Sequence, residues 1–179
     1  MREVEIKARL KDKNTVIKKL ADMGCVFEPE VTQLDTVYVQ NVGSLEDYHS
    51  NKNYLRLRVK NNGKVLFTIK QPLKRNWLDK IEHETEISSK DEMEKAILLM
   101  GYQKAVVINK KRIITHCGGF EICIDDVEGL GAFIEIEKMT EDGNTENIQS
   151  ELYKFSDKLG ILQDDRVVFG YDILMLGKK

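Results

Sequence analysis

The chain has 179 residues, with 28 Lys and Arg against 30 Asp and Glu and a formal net charge of −2. This length suits one domain, residues 1–179, with a substantial core, and this charge balance removes any global electrostatic case for a nucleic acid polymer or an anionic membrane. No apolar run reaches the roughly 20 residues of a membrane span, and the acidic, strand-like start is unlike a signal peptide, so a soluble cytoplasmic protein is expected.

The first predicted element is a strand. Glu3, Glu5 and Lys7 alternate with Val4, Ile6 and Ala8, the two-residue period of a strand with one charged and one apolar face. A helix follows over residues 12–23, where Val16, Ile17, Leu20 and Met23 share a stripe and Gly24 stops it. Strands are predicted over 34–40, 53–60 and 64–71, the last two joined by Asn61-Asn62-Gly63, which contains a tight-turn signature. Another strand is expected over 80–87, then a helix over 90–100 with Met93, Ala96, Ile97 and Met100 on one face. Strands over 105–115 and 120–126 pair across Gly118-Gly119, a further strand covers 131–138, and a last helix covers 146–159. The order of strand, helix, strands, repeated once, suggests two similar halves without a sequence repeat.

Cys25, Cys117 and Cys123 match neither a zinc ribbon nor a C-x-x-C pair, so they read as reduced thiols. His49, His83 and His116 form no metal spacing. Trp77, Lys74 and Arg75 read as an exposed loop, and Asp35 and Tyr38 as packing and hydrogen-bonding residues.

The charged faces carry more information. Arg56 and Arg58 share one, as do Thr68 and Lys70, Glu82, Glu84 and Glu86, Lys110 and Arg112, Glu121, Cys123 and Asp125, and Glu135 and Glu137. One explanation is an antiparallel sheet wetted on its charged side. The other is a barrel whose charged faces point inward. Acids dominate the first, fifth and eighth predicted strands and bases the third, fourth and sixth, whereas a face built for solubility intersperses the signs. Arginine forks suit phosphate oxygens, and paired carboxylates suit a hard divalent ion. Together these point to a metal-bound polyphosphate.

The opening Glu3-x-Glu5-x-Lys7 resembles the ExExK signature of the CYTH superfamily, the triphosphate tunnel metalloenzymes, which includes class IV adenylate cyclases and thiamine triphosphatases. LRLR with Arg56 and Arg58, TIKQP with Lys70, HETE with Glu84 and Glu86, KKR with Lys110 and Arg112, DDVEGLG with Asp125 and Gly131, and FIEIE with Glu135 and Glu137 resemble the later blocks in the same order. The closing GYDILML resembles the end of class IV cyclase-like members. One departure is Glu82, where the family often has a basic residue.

The resemblance implies an α+β fold, an antiparallel closed eight-stranded β-barrel forming a triphosphate tunnel with helices packed outside. It implies catalytic roles for Glu3, Glu5, Lys7, Glu135 and Glu137. Mg2+ or Mn2+ would be held by Glu3, Glu5, Glu135 and Glu137, supported by Glu84, Glu86 and Asp125. Lys7, Arg56, Arg58, Lys70, Lys110 and Arg112 would grip the triphosphate of ATP or another substrate. The expected activity is that of a class IV adenylate cyclase, converting ATP to cyclic AMP and pyrophosphate. The alternatives are hydrolysis of inorganic or thiamine triphosphate, or binding of nucleotide without turnover. A homodimer is the expectation from symmetry statistics alone.

Overall fold

As far as residue 158, strands and amphipathic helices follow one another in the order the sequence predicts; a two-residue strand and a short helix beyond it are not predicted. The computed structural model describes residues 2–40, 53–73, 76–140 and 145–177. Along the chain these form β1 Arg2–Arg9, α1 Lys13–Asp22, β2 Val31–Gln40, β3 Tyr54–Lys60, β4 Val65–Leu73, β5 Asn76–Ile87 and α2 Lys90–Leu99. Then come β6 Tyr102–Cys117, β7 Phe120–Val127, β8 Gly131–Thr140, α3 Thr145–Lys158, β9 Arg166–Val167 and α4 Tyr171–Leu176. The class is α+β, with antiparallel pairing at every recorded register. No helix among the described residues is long and apolar enough to cross a membrane.

The chain folds as two compact units that are not its two sequence halves. The first comprises residues 1–31 and 111–168, the second residues 32–110 and 169–179, and β6 runs from the second into the first. The two similar halves suggested by element order are therefore not the structural units, because β1 and α1 join the C-terminal strands.

In the first unit the strand order is β6-β7-β8-β1-β9. Val4, Ile6 and Ala8 of β1 form one apolar layer with Ile122 and Ile124 of β7 and with Ile134 and Ile136 of β8. Against it pack Val16 and Leu20 of α1 and Leu152 and Phe155 of α3, each pair spaced to share one helix face. The Phe120 and Phe155 rings meet edge to face at 5.2 Å. Asp12 caps α1 by accepting the Thr15 amide at 3.0 Å.

The second unit has the order β5-β4-β3-β2-β6. Its core is Tyr38, Leu55, Leu57 and Ile97, bordered by Phe67, Ile69, Met93 and Tyr102. The β3–β4 turn is where Asn61-Asn62-Gly63 predicts it, with Gly63 at φ 82°, a conformation that favours glycine. Ser89 caps α2 through the Glu92 amide at 3.3 Å.

The expected closed eight-stranded barrel is corrected in two respects. The described residues contain nine strands, the ninth being the two-residue β9, which hydrogen-bonds Lys7 and Ala8 of β1 and is too short to show a period. Within each unit the strand order is open.

Candidate functional site

Strands of the first unit are buried on both faces. On β1, Val4 and Ile6 are 3% and 4% exposed, and Glu5 and Lys7 on the opposite face are 7% and 4% exposed. Glu135, Arg112 and Asp125 are likewise buried in this unit, and Asp35, Arg58 and Lys110 in the second. A solvent-washed charged face does not account for these residues, since charged side chains are almost never fully buried unless paired.

Register explains how the acids of the first unit meet. Glu137 of β8 stands opposite Glu5 of β1 on one side and Glu121 of β7 on the other, so three glutamates form a row across three strands. Two residues along, Glu135 stands opposite Lys7 and Cys123. Lys7 Nζ lies 2.9 Å from Glu135 Oε1 and 3.1 Å from Glu5 Oε1. Despite that proximity, Glu5 Oε1 is buried and accepts no hydrogen bond among the described residues. Like charges directly opposite each other in a sheet repel. Burial first, then the charges of Glu3, Glu5, Glu135 and Glu121, push the Glu137 carboxyl up to about 9.

Arg112 neutralises the far end of this cluster. Its Nε and Nη2 donate to the two Asp125 oxygens at 2.7 and 2.5 Å, and Nη2 also meets Glu135. Burial alone would lower the Arg112 pKa, but Asp125 and Glu135 outweigh it and hold the guanidinium charged.

The second unit holds the remaining bases. Arg58 donates from Nε and Nη2 to Asp35 at 2.7 Å each, a buried bidentate pair. Burial would raise the Asp35 pKa, yet the charge and hydrogen bonds of Arg58, then Arg56 and Lys110, hold it well below the usual carboxylate range. Arg56 Nη2 donates to Thr68 Oγ1 and Glu84 Oε2, both at 3.1 Å, while its Nε is buried with no hydrogen-bond partner among the described residues. Lys70 pairs with Glu82, the position where a base was expected. Lys110 Nζ lies 5.0 Å from the centre of the Tyr171 ring.

Glu3, Glu5, Glu135 and Glu137 thus come together in the first unit, with Lys7, Arg112 and Asp125 beside them. Arg56, Arg58, Lys70 and Lys110 belong to the second unit, as do Glu84 and Glu86, the latter exposed beside Lys64. Glu121 is the residue that site selection from sequence missed. Its signal was the alternation it shares with Cys123 and Asp125, together with its register opposite Glu137. Asp35 fills the hydrogen-bonding role expected of it, and Tyr38 donates to Glu94 Oε1 at 2.9 Å. His83 is exposed, and His116 Nε2 lies 3.4 Å from Glu121 Oε2. His49, Lys74, Arg75 and the Trp77 side chain lie outside the described residues.

Among the described residues no three His, Cys, Asp or Glu side chains stand as a ready-made metal cage. The donor set nonetheless fits a hard divalent cation. A row of buried and half-buried carboxylates, in which Glu5 Oε1 has the Lys7 charge beside it but accepts no hydrogen bond among the described residues, is the ligand chemistry such an ion takes, and binding would draw the repelling acids together.

Comparison with known proteins places this geometry in context. The family model described as the CYTH domain matches residues 1–171, spanning both units. A Methanocaldococcus jannaschii protein named "Putative adenylate cyclase MJ0240" is 32% identical over 177 residues, 96% of this chain and 97% of its own length. The PH1819 protein of Pyrococcus horikoshii has a solved structure that is similar with a TM-score of 0.85 at 25% identity, covering 99% of each chain. A Hippeastrum protein, whose structure is described as revealing a dominant triphosphatase activity, shares the fold with a TM-score of 0.64 at 18% identity, over 99% of this chain and 96% of its own.

Proposed function

The chain belongs to the CYTH domain family, and from that premise we propose that it is a single-domain, divalent-metal-dependent enzyme acting on a triphosphate, with ATP cyclised to cyclic AMP and pyrophosphate. The observation that carries the metal and triphosphate part is the row of Glu5, buried, with Glu137 and Glu121, half-buried, whose mutual repulsion a proton on Glu137 or a bound cation relieves. The cyclase part is supported by the name of the archaeal relative, 32% identical along nearly the whole chain.

In this reading Glu3, Glu5, Glu135 and Glu137 hold Mg2+ or Mn2+, and Glu121 joins them. When bound, the metal neutralises charge developing on phosphate oxygens. Lys7 and Arg112 both pair with Glu135 and hold it in place. Asp125 enters as the anchor of Arg112, both its oxygens being taken by the guanidinium. Phosphate oxygens fall to Arg56, Lys70 and Lys110, with Asp35 fixing the orientation of the Arg58 fork and Glu84 that of Arg56. Cyclisation needs the ribose 3′-hydroxyl in line with the α-phosphate, so positioning and charge stabilisation carry the chemistry.

Hydrolysis of an inorganic or organic triphosphate is the second reading. The complete acid row serves a water nucleophile as well as a ribose hydroxyl. The fold is no guide between the two, since the Hippeastrum neighbour shares it. Phosphorus magnetic resonance of the products from ATP and from inorganic triphosphate, each with Mg2+ or Mn2+, separates them. Cyclic AMP with pyrophosphate is the expected result. Orthophosphate from triphosphate with ATP untouched would replace cyclase by triphosphatase. Metal-dependent binding without any product would reduce the protein to a binding module.

The unpartnered Arg56 Nε makes Arg56→Met the cleaner test of phosphate binding. A charge-assisted hydrogen bond contributes about 1.5–3 kcal/mol, so the variant should bind inorganic triphosphate roughly tenfold to a hundredfold more weakly by calorimetry. An unchanged affinity across several salt concentrations would remove Arg56 from the site.

A further inference from the structure

The three cysteines do not stand apart in the fold. Downstream of α1 the chain forms a short antiparallel bridge with the end of β6, Phe27 standing opposite Thr115. The Glu28 amide donates to the Ile114 carbonyl at 2.8 Å, and Thr115 Oγ1 donates to the Val26 carbonyl at 2.7 Å. Continued two residues back, the same register would set Cys25 opposite Cys117. The Glu28–Ile114 bond makes Phe27 and Thr115 a non-hydrogen-bonded pair, and the continued register would make Cys25 and Cys117 another. In such pairs the Cα atoms approach to about 4.5 Å and the side chains are at their closest. That separation lies within the range of roughly 4.4–6.8 Å that a disulfide spans.

The side chains are consistent with that register. Cys25 and Cys117 both pack against the apolar cluster of the first unit, with Cys117 close enough to raise the Cys25 thiol. Each is only half-buried, so a small reagent can reach it. Cys123, by contrast, is fully buried beside Glu135 on the charged face. By strand alternation Cys117 lies on the side of β6 opposite Arg112, away from the acid row.

We propose that Cys25 and Cys117 form a reversible intramolecular disulfide by exchange with a low-molecular-weight disulfide such as oxidised glutathione, stapling the segment after α1 to the end of β6. In the first step one cysteine, as its thiolate, attacks the glutathione disulfide. A mixed disulfide forms and one reduced glutathione leaves. The second cysteine attacks the protein sulfur of the mixed disulfide and releases the second glutathione. Two electrons pass from the cysteine pair to the oxidant, and the two thiol protons end on the released glutathione or in solvent. Burial, then the neighbouring Cys117, push the Cys25 thiol up to about 11. Exchange is therefore slow at neutral pH and quickens as pH rises, because the thiolate is the nucleophile.

The inference concerns the first unit alone and is independent of the proposed reaction. Its test uses the full chain incubated with oxidised glutathione at pH 8 and pH 9, then thiol titration in denaturant and peptide mapping without reductant. Free thiols should fall from three to one, faster at the higher pH, with a Cys25–Cys117 linked peptide in monomeric protein. The closed loop spans about 90 residues, so the apparent Tm should rise by about 10 °C, reversed by dithiothreitol. In Cys25→Ser the reaction should stop at a glutathione adduct on Cys117 with no rise in Tm; Cys117→Ala gives the mirror-image control if the serine variant does not fold. Three thiols remaining after prolonged oxidation, a linkage through Cys123, or disulfide-linked dimers would each overturn the proposal.

Discussion

Glu5→Ala is expected to lower metal-dependent turnover by a hundredfold or more while leaving the ligand-free fold about as stable as the parent. The loss follows from removing a carboxylate whose Oε1 is buried without a hydrogen-bond partner in a row of acids suited to a cation, since a catalytic metal contributes several kcal/mol of transition-state stabilisation. Stability is spared because two effects oppose each other. Truncation gives up the contact with Lys7, but Lys7 keeps Glu135 at 2.9 Å. It also relieves repulsion against Glu137 directly opposite, a cross-strand term of about 0.2–1 kcal/mol. Turnover with and without added metal, together with a urea unfolding curve, checks both parts. Activity within a few-fold of the parent would remove Glu5 from the metal site. A collapsed protein would make Glu5 a structural counter-ion.

Asp35→Ala carries the largest expected stability loss, about 3–5 kcal/mol, because it strands the buried Arg58 guanidinium without its bidentate partner. The pH dependence has a definite sign. Arg58 holds the folded-state Asp35 carboxyl below its usual range, so the folded protein releases this proton more readily than the unfolded chain. The stability it contributes is fully present above the unfolded value of about 4 and is lost as pH falls below it. The gap between parent and variant should therefore be constant from pH 5 to 8 and close progressively below pH 4. Replacing both residues, as Asp35→Leu with Arg58→Leu, should recover much of the loss, as happens when a buried ion pair gives way to apolar packing. An equal deficit at pH 3 and pH 7 would mean that Asp35 contributes through packing and not through charge. The pairing also makes Arg58 a poor probe of phosphate binding, because truncating it leaves Asp35 uncompensated.

Much of this arrangement was legible because strand period and residue type are local properties. The alternation in Glu3 to Ala8 and the Asn61-Asn62-Gly63 turn each reflect a few adjacent residues, and the structure keeps them. Sequence also separated acidic strands from basic ones. It did not reveal which opposite charge each arginine meets, since Arg58 finds Asp35 across β2 and β3, and Arg112 finds Asp125, through registers set by tertiary pairing. Lys7 reads as a phosphate ligand by motif, yet its recorded ion pairs are with Glu5 and Glu135. Glu121 became prominent only when β7 was aligned on β8. The register that would set Cys25 opposite Cys117 was hidden for the same reason, because it rests on one short bridge between distant segments.

The pairing of β1 with β8 has a consequence for how the chain is made. Arg2 pairs with Thr140 and Arg9 with Phe133, so β1 finds this partner only after more than 120 further residues have been added. At about 5–20 residues per second that wait lasts several seconds or longer. The β3–β4 hairpin closes over a three-residue turn and needs no such delay. Nascent chains arrested before residue 130 should therefore show protected amides in β3 and β4 while Val4, Ile6 and Ala8 stay open to solvent and to chaperones.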